Sequence, residues 1–371
     1  MSPSLRFPEF TGEWEEFSLG EIGDSFIGLT YKPTDTVPSG GIIVFRSSNI
    51  QDGCIDYNDI VRVNKKVREN LITKNGDLLI CARNGSSRLI GKNALLHRTD
   101  ANQTFGAFMM VFRSDKNHFV HHLLNTKRYT SQVAENLGAR INQITSSDLS
   151  SFRFFFPKDD KEMTRIASLF DLLDGRIAVQ TRLIDRLQSL MKGIRHRIIN
   201  EAKGKIVCLC EVSDIYQPQT ISSADLTETG YPVYGANGII GHYTSYNHEA
   251  EQVCITCRGN TCGGVNYTKS KSWITGNAMV VNVDRYQNIV SKRYLYHYLS
   301  NCDFNSIISG SGQPQIVRAP LAKFKIILPT VMQQYKIAHC LDVIQNKINV
   351  NSNILNLLIR QKQYLLRKMF I

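Results

Sequence analysis

The second half of the chain repeats the first half at an offset of about 171 residues. The repeat is clearest in two long segments, from about Lys161 to Ala202 and from Gln333 to Ile371. Apolar residues recur there at alternating steps of four and three, the heptad pattern of a helix that packs against another helix. A solenoid unit is far shorter, at roughly 20–50 residues. The pattern therefore predicts a duplicated module, each copy being a globular domain followed by a long helix.

The apolar stripe of the two helices, here called the helix seam, predicts that the helices pack against each other. Because each helix follows a globular domain and a whole domain lies between them in the sequence, we expect them to pack antiparallel, with one domain at each end. Gln180 and Asn351 interrupt the stripe at corresponding places near its middle. In an antiparallel pair these positions would face each other and fix the register, unless both point to solvent at a loose point of the seam. The seam positions are Ile166, Phe170, Leu173, Ile177, Gln180, Ile184, Leu187, Met191, Ile194 and Ile198, then Ile337, Leu341, Ile344, Ile348, Asn351, Leu355, Leu358, Lys362, Leu365 and Met369.

Each half also predicts a mixed α/β domain ahead of its long helix. Short β-rich runs such as Leu78–Cys81 and Val253–Thr256 alternate with turn signals, and 118–136 has a helical pattern. The predicted fold class is α/β, with two mixed α/β domains joined by two long helices that form an antiparallel coiled-coil spacer with a pseudo-two-fold repeat. The predicted boundaries are residues 1–157 and 204–329 for the domains, and 158–203 and 330–371 for the helices.

The charge of the chain favours a polyanionic partner. Forty-four Lys and Arg against 32 Asp and Glu give a formal charge of +12 and a pI near 9.2. Nucleic acid is the first candidate and an anionic membrane the second, although an ordinary basic protein has the same balance. No apolar run reaches the roughly 18 residues of a spanning helix, and residues 1–10 do not resemble a signal peptide. We therefore expect no membrane partner, a cytoplasmic location, and nine reduced cysteines that lie mostly in the core.

Catalytic signatures are missing from the sequence. Residues 85–93 have the wrong spacing for a phosphate-binding loop, and the G-x-G at 310–312 precedes no suitable helix. Cys254, Cys257 and Cys262 lack a second pair at zinc-ligand spacing, and Cys257 corresponds to Ala82 in the other half. We expect no catalytic residue, cofactor site or metal site on this chain.

Polar loops at corresponding places in both halves suit DNA recognition instead. Arg83 and Arg258 each follow a β-rich run and precede small polar residues, and Gln143 corresponds to Gln315. Arginine grips guanine or phosphate, and Asn or Gln pairs with adenine, although any single exposed loop is often polar without such a role. The predicted DNA contacts are Arg46, Asn49, Arg83, Asn84, Ser86, Arg88, Asn102, Gln103, Arg140, Gln143, Asn237, Arg258, Asn260, Lys269, Gln313 and Gln315.

Several short motifs resemble, in the same order, those of one protein family. Near the start of the chain the motifs are residues 8–14 and 19–22, and in the second half they are residues 231–238 and 310–315. Residues 334–342 match at the beginning of the second long helix, and residues 165–171 match more loosely at the first. Over essentially its whole length the chain resembles the specificity subunit of type I restriction–modification systems. The resemblance implies two target-recognition domains, each binding half of a bipartite double-stranded DNA target.

The resemblance also implies partners for the chain. The helices would dock modification subunits, expected to be two, and restriction subunits would join the complex. S-adenosylmethionine, ATP and Mg²⁺ would bind to those partners. A specificity subunit of a type IIB-like or methylation-only system has the same sequence features, and an enzyme acting alone on nucleic acid or a coiled-coil scaffold is the alternative from another class.

Overall fold

A computed structural model describes residues 1–139, 142–236, 238–310 and 312–371. The chain forms two compact units. The first unit contains Met1–Gln180 and Ile354–Ile371, and the second contains Thr181–Asn353. Both long helices therefore contribute one segment to each unit, and the units are described separately below.

The first unit is built on two four-stranded sheets and two short strand pairs. The sheets have the strand orders β2-β11-β8-β9 and β10-β4-β7-β3, while β1 pairs with β12 and β5 with β6. The strands are β1 (Glu15–Ser18), β2 (Asp24–Ile27), β3 (Thr36–Val37), β4 (Ile42–Phe45), β5 (Ile50–Gln51), β6 (Cys54–Ile55), β7 (Val61–Val63), β8 (Leu78–Cys81), β9 (Asn93–Leu95), β10 (Thr104–Phe105), β11 (Met109–Arg113) and β12 (Arg153–Phe156). The helices are α1 (Leu19–Ile22), α2 (Asn117–Leu123), α3 (Lys127–Ala139), α4 (Ser146–Ser151) and α5 (Asp160–Glu201).

Strand β8 of the first unit is buried on both faces because the sheet that contains it is a middle layer. Alternate side chains of a strand point to opposite faces. Leu78 and Ile80 join one apolar cluster with the helices, whereas Leu79 and Cys81 join a second cluster with the β4 sheet. This two-sided burial explains a run of four apolar residues with no polar alternation.

The second unit repeats this plan with fewer strands. Its sheets have the orders β14-β20-β17-β18 and β16-β15-β19, while β13 pairs with β23 and β21 with β22. The strands are β13 (Lys205–Cys208), β14 (Asp214–Tyr216), β15 (Tyr231–Gly235), β16 (Gly238–Tyr243), β17 (Val253–Thr256), β18 (Val265–Tyr267), β19 (Trp273–Ile274), β20 (Ala278–Asn282), β21 (Ile308–Ser309), β22 (Gln315–Ile316) and β23 (Lys325–Leu328). The helices are α6 (Leu209–Val212), α7 (Lys292–Leu299), α8 (Arg318–Ala322) and α9 (Val331–Met369).

The two units share the pairing of their central strands, β8 with β11 and β17 with β20. Met109 pairs with Cys81 in the first unit, and Ala278 pairs with Thr256 at the same place in the second. Both units also contain one parallel strand pair, β10 with β4 and β19 with β15. The predicted fold class of duplicated α/β domains with long helices is confirmed.

In the first unit the end of α9 packs antiparallel against the start of α5. The ring of Phe370 lies 5.6 Å from that of Phe170. Lys362 Nζ lies 2.5 Å from Asp174 Oδ1. Asp174 follows Phe170 in α5, whereas Lys362 precedes Phe370 in α9, so the two helices run in opposite directions. The N-terminal segment adds to this core, because Glu162 is fully buried and accepts hydrogen bonds from Arg6.

In the second unit the remaining segments of the two helices also run antiparallel. Met191 of α5 clusters with Leu341 and Ile348 of α9. Further along, Glu201 at the end of α5 lines a cleft with Lys336 near the start of α9. All predicted seam positions are buried or half-buried, whereas most of their helical neighbours are exposed.

Two polar residues interrupt the seam near its middle. Gln180 and Asn351 are both half-buried, and Asn351 Nδ2 donates to the carbonyl of Lys347 within α9 at 2.7 Å. Gln180 belongs to the first unit and Asn351 to the second, and their pairing stays a prediction.

The structure also bears on the helix predicted over 118–136, on the cysteines and on membrane-spanning helices. The helix predicted over 118–136 is two helices, α2 and α3, and the Thr126 hydroxyl between them donates to the carbonyl of Leu123 at 2.7 Å. All nine cysteines are free thiols, but the expectation that most lie in the core is wrong, since three are buried, three half-buried and three exposed. Among the described residues, no helix is long and apolar enough to span a membrane.

Candidate nucleic-acid interface

In the first unit a loop begins where β8 ends, and Arg83 is its first exposed side chain. The backbone of Arg83 forms an antiparallel bridge with Gln143, although 60 residues separate them. Arg83 Nε donates to Gln143 Oε1 at 2.9 Å, and a second guanidinium nitrogen donates to the same oxygen. The N–H of Ile144, a buried residue, donates to the carbonyl of Ala82 at 2.8 Å and anchors this contact.

The second unit has the same arrangement after β17. Arg258 forms an antiparallel bridge with Gln315, and the N–H of buried Ile316 donates to the carbonyl of Cys257 at 3.0 Å. The N–H of Gly259 also donates to the carbonyl of Pro314, at 3.0 Å. The sequence singled out both arginines and both glutamines as corresponding positions, and the structure brings them together as two matching pairs. Each pair is called an Arg–Gln bridge below.

Three other predicted residues of the first unit share the loop with Arg83. Asn84 Nδ2 donates to the Ser47 hydroxyl, and its Oδ1 accepts the N–H of Ser86, both at 3.0 Å. Ser86 and Arg88 are exposed on the same loop. These side chains lie on the same loop as Arg83, within five residues of it.

The structure corrects the prediction for Asn49. Its side chain is fully buried, Oδ1 accepts the N–H of Arg46, and Nδ2 donates to the carbonyls of Asp56 and Asp59. Because all of these amide contacts hold one loop together, Asn49 has no surface with which to contact DNA. Arg46 is half-exposed and forms an ion pair with Asp59 at 2.8 Å, which leaves part of its guanidinium accessible.

Asn102 and Gln103 lie away from the Arg83 loop. Both bond to Thr73, which precedes β8, whereas Arg83 follows it. Gln103 Oε1 also accepts the N–H of Ile43 at 2.8 Å, so this glutamine joins segments of the domain. Asn102 is exposed and has a positive φ of 61°, a backbone conformation that asparagine tolerates in turns.

In the second unit, Asn260 and Gln313 are exposed and lie close in sequence to the residues of the Arg–Gln bridge. Lys269 is also exposed but lies elsewhere. The residue before it, Thr268, bonds to Gln252 at the start of β17, and Arg258 lies beyond the other end of that strand. Six residues of extended chain put roughly 20 Å between these ends. Lys269 therefore does not belong to the same surface. Arg140 and Asn237, also predicted as DNA contacts, lie outside the described residues.

A second repeated arrangement, which the sequence did not suggest, ties α2 and α7 to the long helices. In the first unit the buried His122 bonds through Nε2 to Asp171 Oδ1 of α5 at 2.8 Å, and His118 also contacts Asp171. In the second unit His297 Nε2 lies 2.7 Å from Asp342 Oδ1 of α9, and Arg293 takes the place of His118. We call these two arrangements the His–Asp clasps.

The electrostatics of the second clasp follow from its burial. Burial lowers the pKa of His297 to about 4, against the opposing effect of Asp342. Burial raises the pKa of Asp342, but hydrogen bonds from Arg293 and His297 outweigh that effect and hold it below its usual value. A neutral imidazole that donates to an ionised carboxylate is therefore the resting state of this clasp.

One group of side chains has the spacing of a metal site. Donor atoms of His121, His122 and Asp174 lie within 4.8 Å of one another. Asp174 already forms an ion pair with Lys362, whose ammonium group competes with a metal cation for the carboxylate. His122 uses Nε2 for the clasp with Asp171, and its Nδ1 lies 3.8 Å from Asp174 Oδ2. Among the described residues the group does not recur in the second unit, where the corresponding His297 lies beside Tyr296 instead of a second imidazole. We therefore assign this group a structural role.

Comparison with known proteins identifies the family. A model of the type I restriction modification DNA specificity domain matches residues 11–189 and 202–360. The chain belongs to this family. The two matched segments coincide with the two halves of the repeat, and the family predicted from the sequence motifs is confirmed.

Curated relatives carry corresponding names. The chain is 31% identical over 148 residues to the type I restriction enzyme EcoprrI specificity subunit of Escherichia coli, covering 38% of this chain and 36% of that protein. It is 27% identical over 188 residues to the EcoKI specificity subunit of E. coli K12, covering 48% of this chain and 40% of that protein. The matches thus span less than half of these relatives.

Solved structures share the fold. The S subunit of a type I restriction-modification system from M. genitalium matches with a TM-score of 0.72 at 16% identity, covering 100% of this chain and 99% of that one. A chain from a structure describing assembly and conformational transition of a type I R-M system matches with a TM-score of 0.53 at 17% identity, covering 97% and 98%. At these identities the likeness concerns the fold alone.

Proposed function

We propose that this chain is the DNA-specificity subunit of a type I restriction–modification complex and recognises an asymmetric, bipartite DNA target. The observation that carries the proposal is the Arg–Gln bridge, which recurs in both units at the end of the corresponding strand. Each bridge places an exposed arginine on a rigid sheet edge, anchored by a buried isoleucine. Two similar surfaces in one chain suit a target with two half-sites.

The chemistry around the two bridges supports recognition of different sequences. Arginine can bond to guanine through two N–H groups, and amide side chains can bond to adenine. Asn84, Ser86 and Arg88 follow Arg83 on its loop, whereas Asn260 and Gln313 lie close in sequence to Arg258 and Gln315. Because the hydrogen-bonding groups differ on the same backbone plan, the two half-sites are expected to differ. The formal charge of +12 adds attraction to the phosphate backbone that does not depend on sequence.

The outer faces of the long helices support docking of modification subunits. In the first unit Leu172 and Val179 of α5 are 74% and 58% exposed. In the second unit the corresponding residues of α9, Val343 and Val350, are 55% and 57% exposed. Apolar residues that stay exposed at heptad spacing are typical of a helix face that binds another helix. Since each unit has its own face, two modification subunits would bind.

In this proposal the chain supplies recognition and its partners supply the chemistry. Modification subunits would bind S-adenosylmethionine and methylate adenine in each half-site. Restriction subunits would bind ATP and Mg²⁺ and cleave unmodified DNA. The chain would act with these partners in the cytoplasm.

Binding measurements with the modification subunit present test the proposal. R83A should weaken binding through one half-site and R258A through the other, each by about 1–3 kcal/mol. R197A is a matched control, since it removes the same charge from an exposed arginine of α5 paired with Glu201. If R83A, R258A and R197A all lowered the affinity for DNA by the same factor, Arg83 and Arg258 would contribute charge only. If the wild-type complex bound no duplex DNA sequence-specifically, the proposed function would be wrong.

A further inference from the structure

Two turn positions beside the Arg–Gln bridges are candidates for direct contact with bases. In the first unit, Gly106–Met109 forms a turn closed by the Met109 N–H and the Gly106 carbonyl at 2.8 Å. In the second unit, Thr275–Ala278 forms the same turn with a distance of 3.0 Å. The third residue is Phe108 in one turn and Asn277 in the other. Each immediately precedes a strand, β11 or β20, so the two positions correspond.

The backbone at both positions is fixed to the recognition loop. The Phe108 carbonyl accepts the N–H groups of Ala82 and Arg83, both at 2.9 Å. The Asn277 carbonyl accepts the N–H of Cys257 at 3.0 Å. These bonds leave each side chain at the tip of a rigid turn, next to the arginine of the bridge. A side chain held in this way loses little conformational freedom on binding.

Both side chains are directed to solvent rather than into the core. Phe108 is 59% exposed, and its ring lies 5.7 Å from the guanidinium carbon of Arg83. Asn277 is exposed, and its amide has no hydrogen-bond partner in the part of the chain that the structure describes. The first unit therefore presents an aromatic ring where the second presents an amide, on the same backbone.

We propose that these turn residues discriminate bases, with Phe108 contacting the methyl group of a thymine and Asn277 bonding to N6 and N7 of an adenine. Apolar side chains recognise the thymine methyl group in the major groove, and asparagine is complementary to the adenine edge. The inference rests on the proposed function and adds specificity-determining residues to it. Neither residue is needed for the fold, because neither side chain is buried.

The experiment uses the full chain with its modification subunits. The half-sites bound by the wild type, F108A and N277A are first selected from a DNA library. F108A should lose the preference for one thymine in one half-site only, and N277A should lose the preference for one adenine in the other. Each variant serves as the control for the other half-site. F108L, which keeps an apolar contact, should retain the thymine preference.

Modified bases then test the contacts themselves. Replacing that thymine by uracil should weaken wild-type binding about fourfold, as expected for one buried methyl group, and should not affect F108A. Replacing the adenine by 7-deazaadenine should weaken the wild type about tenfold or more and N277A far less. Unchanged half-sites in both variants would overturn the inference. It would also fail if F108A, compared with the wild type, bound thymine DNA and uracil DNA more weakly by the same factor. The proposed function fails separately, if the wild type selects no sequence at all.

Discussion

Replacing Asp342 by alanine should open the second unit where α7 packs against α9. The substitution removes the acceptor for His297 Nε2, 2.7 Å away, and for Arg293, whose Nε lies 3.0 Å from both carboxylate oxygens. The His297 side chain is fully buried, and its Nδ1 already lacks a partner among the described residues. The variant therefore leaves a buried imidazole with no hydrogen bond and a half-buried guanidinium without its counter-ion.

The size of the effect follows from these contacts. A hydrogen bond to a charged group contributes about 1.5–3 kcal/mol, and a buried polar group left unsatisfied costs about 1–3 kcal/mol. The partial exposure of Asp342 and Arg293 reduces the sum because solvent screens their ion pair. We expect D342A to lower the free energy of local opening by about 2–3 kcal/mol. D342N, which keeps an acceptor oxygen, should lose less.

The clasp also predicts how stability depends on pH. The folded-state pKa of His297 is about 4, below its ordinary value of 6.5, because burial disfavours the cation. The unfolded state therefore binds more protons between these two values. The contribution of His297 is fully present above pH 6.5 and is lost as the pH falls from 6.5 to about 4. The lowered pKa of Asp342 acts in the same direction at still lower pH.

Amide hydrogen exchange of Lys292–Leu299 measures this opening directly. An overall unfolding curve is less suitable, since a chain with two units need not unfold in one step. Exchange in α7 should accelerate about a hundredfold in D342A at neutral pH. Exchange in α2 of the first unit, which has its own clasp, is the internal control. If α7 in D342A exchanged at the wild-type rate from pH 4 to 8, the energetic role of the clasp would be refuted.

Three further substitutions separate structural from functional roles. N49A should destabilise the first unit by about 2 kcal/mol, measured by amide hydrogen exchange of that unit, and leave the recognised half-sites unchanged in a DNA selection. F170A should destabilise the first unit by about 3–5 kcal/mol because the buried ring of Phe170 contacts Phe370, and a smaller loss by amide hydrogen exchange of that unit would count against this core. The double variant L172E/V179E should fold normally yet bind one modification subunit fewer by analytical ultracentrifugation, and unchanged stoichiometry would exclude this docking face.

The repeat and the heptad stripe made the fold class predictable from the sequence. Helical periodicity alone determines which side of a long helix is apolar, so residues such as Phe170 and Leu341 could be assigned to a seam without knowing their partners. The middle-layer strands were also recognisable, because Leu78–Cys81 and Val253–Thr256 are short apolar runs bounded by turn residues.

Contacts between distant segments could not be predicted in the same way. Arg83 and Gln143 meet because a loop 60 residues away pairs with the end of β8, and no local pattern encodes that register. Asn49 lies in a polar run that looks exposed, but its buried amide links the Arg46 N–H to the carbonyls of Asp56 and Asp59, a loop contact that no local pattern encodes. His122 and His297 sit in short helices whose sequence carries no sign of an aspartate on another helix.

Methylome sequencing of a host that expresses the chain with its modification subunit tests the central claim most directly. Two different half-sites separated by an unspecified spacer should be methylated, and the methylation should disappear when this chain is deleted. R83A should relax one half-site and R258A the other. A continuous or palindromic motif, or the same methylated motif in cells that lack the chain, would contradict the account.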